Sequence, residues 1–319
     1  MAVYTHVDDK TLAAFLANYD VGHATSFKGI AEGVENSNYF LETEKARFVL
    51  TLYEKRARPD DLPFFLDLME YLAQAGVPSP LPVRDKNGKA LQQLSGKPAC
   101  MISFLSGVSV EDPDNNHCAA VGSMLADMHN AAASFPLTRQ NDLTISGWRA
   151  LADKTLSGAD AVQEGLAREI SDEMDFLEKN WPVGLPTGII HADLFPDNIL
   201  FTDHRITGVI DFYFGCTDML AFDLAVCINA WCFDQKLLFV PERAKRLTEM
   251  YDVGRTMTGG EVNALPVLCR GAAMRFLLTR LYDWLNPVEG AVVRPKDPLE
   301  YLTCLKFHQN VKDTAAYVV

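Results

Sequence analysis

The residues best placed to do chemistry are His191-Ala192-Asp193-Leu194-Phe195-Pro196-Asp197-Asn198, followed by Ile199-Leu200-Phe201 and Val209-Ile210-Asp211-Phe212. The order H-x-D-x-x-x-x-N followed by Asp-Phe is that of a phosphoryl-transfer site, where catalysis is mostly positioning and charge neutralisation. Asp193 is the expected base for a hydroxyl proton, and Asn198 and Asp211 are the expected Mg²⁺ ligands. Hard Mg²⁺ keeps several waters, so two protein oxygens plus phosphate oxygens suffice. Phe195-Pro196 stiffens the loop, because proline fixes its own φ and restricts its predecessor. His191 has two readings: a direct catalytic part, or an imidazole that organises the loop through backbone hydrogen bonds. Chance would produce H-x-D-x-x-x-x-N in about one chain of this length in a hundred.

These loops need two apolar strands, Ile199–Phe201 and Val209–Phe212, joined by a turn through Asp203-His204-Arg205. Asp218–Phe233 follows as a helix apolar nearly all round, hence buried. An unpaired carboxylate inside it is costly, so Asp223 is expected to brace the catalytic loop by accepting backbone or His191 hydrogen bonds.

Upstream the pattern is strand-rich. A short helix over 8–19 precedes strands at Phe27–Ile30, Tyr39–Glu42, Phe48–Tyr53 and Ala99–Leu105, with one helix at Asp61–Ala75 and a hairpin at Val83–Leu91 around Asn87-Gly88. Gly33, Asn36, Ser37 and Asn38 lie in a stretch able to turn over phosphates with free backbone N–H groups. The backbone at Ser103, Phe104 and Leu105 could bond a nucleotide base. Past Asp112 the texture is helical, over 114–133, 159–180 and Glu261–Leu285, the last either one helix or two split at Pro266. The shift places a boundary between residues 1–105 and 106–319, an α+β chain with a small antiparallel-sheet lobe and a larger helical one.

The 319 residues carry a net charge of −13, which argues against a nucleic-acid partner. Seven scattered cysteines without a C-x-x-C pair fit reduced thiols. With no apolar leader and no run of about 18 apolar residues, a cytoplasmic protein without membrane partner is expected.

The chain resembles the aminoglycoside phosphotransferase and choline kinase superfamily, with its protein-kinase-like two-lobed fold. The resemblance rests on H-x-D-x-x-x-x-N, Ile210-Asp211-Phe212 and Asp223-Leu224-Ala225. Within that superfamily, Glu32–Tyr39, Val49–Glu54, Ile210–Gly215, Asn229–Phe233 and Arg275–Asp283 are similar to bacterial homoserine kinases. The resemblance implies ATP and Mg²⁺ as cofactors and phosphorylation of the L-homoserine hydroxyl, with Tyr213 and Arg275 or Arg280 against the substrate. One departure stands out. Where such kinases carry a phosphate-binding lysine in the third strand, this chain has Leu50-Thr51, and Lys55 and Arg56 lie one or two pleats further along. Competing readings are a kinase of choline, methylthioribose or an aminoglycoside, and a nucleotide-binding pseudokinase scaffold.

Overall fold

The computed structural model describes residues 4–30, 36–54, 58–287 and 295–318. They form two compact units. Gly208–Tyr213 belongs with the residues up to Ser106, and the second unit takes up the chain from Gly107 to Thr207 and again from Phe214. The first unit thus runs on to Ser106, and a later piece of chain returns to it.

In the first unit, helix α1 (Asp9–Leu16) starts at Asp8, whose carboxylate accepts the Thr11 amide. Strands β1 (Ala24–Gly29), β2 (Ser37–Thr43) and β3 (Arg47–Leu52) follow, then helix α2 (Leu62–Gln74), then β4 (Leu91–Leu94) and β5 (Lys97–Ser103). The five strands make one antiparallel sheet in the order β1-β2-β3-β5-β4. The period-2 alternation of β2 buries Tyr39 and Leu41, and β3 adds Leu50 and Leu52; with Phe15 and Leu16 of α1 they build one core cluster.

The expected hairpin at Asn87-Gly88 is corrected. A tight turn does form there, organised by the Asp85 carboxylate accepting the Asn87 and Lys89 amides. It heads no strand pair, because Val83 instead donates to Met101. The hairpin lies further on, between β4 and β5, where Ser95 and Gly96 both take positive φ, 51° and 76°.

The second unit opens with α3 (Asn115–Ala132), whose N-cap is Asp114. The helix expected over 159–180 is instead two, α4 (Ile145–Val162) and α5 (Leu166–Asn180), broken at Gly165, which sits at φ 81°. Then come β6 (Thr187–Ile190), β7 (Ile199–Thr202), β8 (Arg205–Val209) and β9 (Cys216–Met219), paired as β6 with β9 and β7 with β8. The expected helix 218–233 is shortened to α6 (Leu220–Trp231), because β9 claims its first residues.

Three further helices complete the unit: α7 (Pro241–Gly254), α8 (Gly259–Leu285) and α9 (Leu299–Asn310). Pro266 does not split α8, which starts at a Thr258/Glu261 capping box and runs 27 residues. α3 lies close against α7: a Cβ on Gly122 would overlap the Leu247 carbonyl oxygen. Among the described residues, no helix is long and apolar enough to cross a membrane.

Candidate active site

Strand β6 delivers the chain into the loop at His191, and β7 leaves it at Ile199. Three side chains from other elements fix the backbone between. Asp223, fully buried on α6, accepts the His191 amide through Oδ2 at 2.7 Å and the Ala192 amide through Oδ1 at 2.8 Å. Arg275 of α8 donates through Nη1 to the Ala192 carbonyl. The Trp231 indole, at the end of α6, donates to the Leu194 carbonyl at 2.7 Å. Ala192 holds φ at 65°, which a side-chain-bearing residue keeps only where its surroundings over-determine it. With its amide on Asp223 and its carbonyl on Arg275, that condition is met.

Inside the loop, the Asp193 amide donates to His191 Nδ1 at 3.3 Å. Asn198 Nδ2 donates to the Asp193 carbonyl at 2.7 Å and to Asp193 Oδ2 at 3.2 Å. This spends the amide's donor end on the loop and leaves its oxygen as the group able to meet a cation. Asp193 is partly buried, and its Oδ1 lies 4.0 Å from Arg275 Nη2. Asp211, exposed and at φ 65°, is placed by the first unit. The Asn198 side-chain carbonyl is a hard oxygen, the donor type Mg²⁺ selects.

Behind Asp223 stands a chain of groups that sequence reasoning did not find. His129 Nε2 lies 3.2 Å from Asp223 Oδ2, its Nδ1 lies 2.9 Å from the Tyr251 hydroxyl, and Arg255 donates to that hydroxyl and to Glu261. Burial alone would raise the Asp223 carboxyl, but the His129 hydrogen bond, the nearby imidazoles and the backbone amide hold it below its ordinary range. A histidine on the inner face of α3 and a carboxylate on an apolar α6 were the only advance signals. Their meeting spans 94 positions, which no local pattern reports.

Arg275 is buried on α8 with its Nε unpartnered and its guanidinium 4.5 Å from the Phe276 ring. Burial pulls the guanidinium below its ordinary value, opposed chiefly by Asp193. Arg280, the alternative partner for a substrate carboxylate, is committed elsewhere: it pairs with Glu300 at 2.5 Å and donates to the Asp297 carbonyl. Tyr213 is the other residue expected against the substrate. Its hydroxyl lies 3.1 Å from that of Tyr53, within an aromatic group that includes Phe65.

The expected phosphate loop is represented by three described residues, since Gly33 lies outside them, as do Lys55 and Arg56. Ser37 is fully buried; its hydroxyl donates to Glu54 and accepts the amides of Tyr4 and Thr5, so that side chain belongs to the fold. Asn36 accepts the Glu54 amide at 3.3 Å, and Asn38 accepts the Thr51 hydroxyl at 2.8 Å across the β2–β3 pair. Thr51 therefore fills the lysine position with a neutral cross-strand bond. At the end of β5, the amides of Ser103 and Phe104 are taken by the Leu81 and Arg47 carbonyls. Leu105 is the next residue along, half-buried beyond the end of the strand.

A loop that presents a carboxylate beside an asparagine amide, on a chain with a five-stranded antiparallel sheet and a helical second unit, defines a phosphotransferase of protein-kinase-like fold. The comparisons agree. Residues 26–256 match the model of the phosphotransferase enzyme family. The homoserine kinase of Xanthobacter autotrophicus is 54% identical over 317 residues, covering 99% of each chain. That of Rhodospirillum rubrum is 52% identical over the same share. The amicoumacin kinase hAmiN, solved with AMP-PNP, superposes with a TM-score of 0.71 over 95% of this chain and 92% of its own, at 14% identity. Choline kinase from Cryptosporidium parvum gives 0.69 over 95% and 94%, at 16% identity. The chain belongs to the homoserine kinases of the phosphotransferase enzyme family.

Proposed function

We propose that this enzyme transfers the γ-phosphoryl group of ATP to the side-chain hydroxyl of L-homoserine, giving O-phospho-L-homoserine in the cytoplasm. The observation that carries the reading is full-length identity above 50% to homoserine kinases, joined to a braced Asp193–Asn198 loop. In this reading Asp193 orients the hydroxyl and accepts its proton as the oxygen attacks phosphorus. Asn198 holds Asp193 through its amide nitrogen and, with Asp211, offers oxygens to Mg²⁺. When bound, the metal ion neutralises charge on the phosphate oxygens. His191 keeps the Asp193 amide in place and takes no proton from substrate.

Arg275, rather than Arg280, is assigned to the substrate α-carboxylate. It stands beside the base, carries an unpartnered Nε, and a planar guanidinium suits a carboxylate. The Leu105 backbone is assigned to the nucleotide base. Because Thr51 is neutral and bonded to Asn38, the lysine position brings no charge to the phosphates, and the metal carries more of that load.

ADP release with Mg-ATP, measured for L-homoserine beside choline, L-serine, methylthioribose and an aminoglycoside, tests the reading. Turnover on homoserine above all others is expected. Turnover on another alcohol would overturn the substrate, and no turnover on any would overturn the activity.

A further inference from the structure

A second cluster of ligating side chains lies in the second unit, outside the catalytic loop. Asp114, His117 and His204 each offer one ligand atom, and these atoms lie within 4.8 Å of one another. Two of the three come from the start of α3: Asp114 is its N-cap and His117 its third residue. The third, His204, sits in the two-residue turn between β7 and β8, where Asp203 adopts φ 54°. The histidine rings are 4.5 Å apart, and His117 is held edge-on against Phe201.

The carboxylate's two oxygens have different surroundings. Oδ1 accepts the amides of Asn116 and His117, both at 2.9 Å, and so caps the helix. Oδ2 faces His204 Nε2 at 3.0 Å. Two imidazole nitrogens with one carboxylate oxygen are the donor set of a borderline divalent ion such as Zn²⁺. Asp114 and His204 are about half exposed, leaving ion entry and a water position open.

We propose that Asp114, His117 and His204 form a transition-metal site selective for Zn²⁺ over Mg²⁺, tying the β7–β8 turn to the start of α3. The selectivity separates it from the oxygen-only set at Asn198 and Asp211, because nitrogen ligands suit zinc and oxygen ligands suit magnesium. Bound metal pins the hairpin that begins one residue after Asn198.

The test uses the full chain freed of metal and titrated at pH 7.5 with Zn²⁺ by calorimetry and with Co²⁺ by absorbance, in excess Mg²⁺. One equivalent is expected, with d–d bands of a nitrogen and oxygen environment and no thiolate charge-transfer band, as all seven cysteines are buried. Zn²⁺ should raise the melting temperature by a few degrees. His204→Asn should weaken binding by at least about tenfold and abolish the rise, the scale set by loss of groups that merely support a metal ligand. If that variant melts differently without metal, His117→Gln decides by the same readouts. No bound equivalent, displacement by Mg²⁺, or an equivalent that survives both substitutions overturns the proposal.

Discussion

Asp223 Oδ1 accepts the Ala192 amide at 2.8 Å, at the loop position where a residue bearing a side chain is held at φ 65°. The other oxygen takes the neighbouring His191 amide at 2.7 Å and also faces His129. One buried carboxylate thus sets the backbone from which Asp193 projects. Asp223→Ala leaves two amides and an imidazole without their acceptor in the interior, and should cost about 3–5 kcal/mol. Urea unfolding measures it; a loss under about 1 kcal/mol, the scale of one ordinary hydrogen bond, would show that the loop holds itself.

Asp193→Asn keeps the loop's shape but removes the proton acceptor. The turnover number should fall about 10²–10⁴-fold, while the dissociation constant for ATP stays within a factor of about two, well under the tenfold step that 1.4 kcal/mol represents. Stopped-flow turnover and equilibrium nucleotide titration separate the two quantities. Unchanged turnover would remove Asp193 from the chemistry.

Arg275 touches both the Ala192 carbonyl and the neighbourhood of Asp193, so its two roles must be separated by kinetics. Arg275→Lys keeps a charge but loses the planar fork. If it binds the substrate carboxylate, KM for homoserine should rise about tenfold or more, as 1.4 kcal/mol or more of carboxylate binding is lost, with KM for ATP unchanged. A fall in kcat with both KM values constant would instead make Arg275 a brace of the loop.

His308 is fully buried between the Tyr317 hydroxyl and the Asn229 side chain, and burial, with Arg270 adding, pushes its imidazole down to about 3. An unfolded chain binds that proton near pH 6.5. Between those values the unfolded state carries more protons, so this contribution to stability is full above pH 6.5 and declines as the pH falls. The slope approaches about 1.4 kcal/mol per pH unit. Unfolding free energies of wild type and His308→Gln from pH 7 to 4.5 check this; the variant should show the shallower acid decline.

Gly122→Ala tests the α3–α7 contact. A Cβ there meets the Leu247 carbonyl, which is backbone within a helix and cannot swing away. Overpacking of this kind costs about 1–3 kcal/mol or more, readable as a lowered denaturation midpoint.

Periodicity and turn residues placed β2, β3, β5, β7, α2, α3 and α8, because burial on one face imprints a period of 2 or 3.6 on the chain. Asp193, Asn198 and Asp211, the trio proposed for catalysis, stand out in the chain because a phosphoryl-transfer loop needs those residue types at near-fixed spacing. The turn at Ser95-Gly96 was misplaced, since Asn87-Gly88 is the stronger local signal and only strand register decides which turn heads a hairpin. The break between α4 and α5 rests on one glycine taking positive φ, which a helical pattern running across it conceals.

Sequence alone thus determined the carboxylates, the amide and the loop that joins them. Tertiary structure decided which buried groups hold that loop: Asp223 with His129 at its back, Arg275 rather than Arg280, and Thr51 turned to Asn38. Those choices depend on which helix faces meet across dozens of residues, and a hydrogen bond between distant positions leaves no periodic trace in the chain.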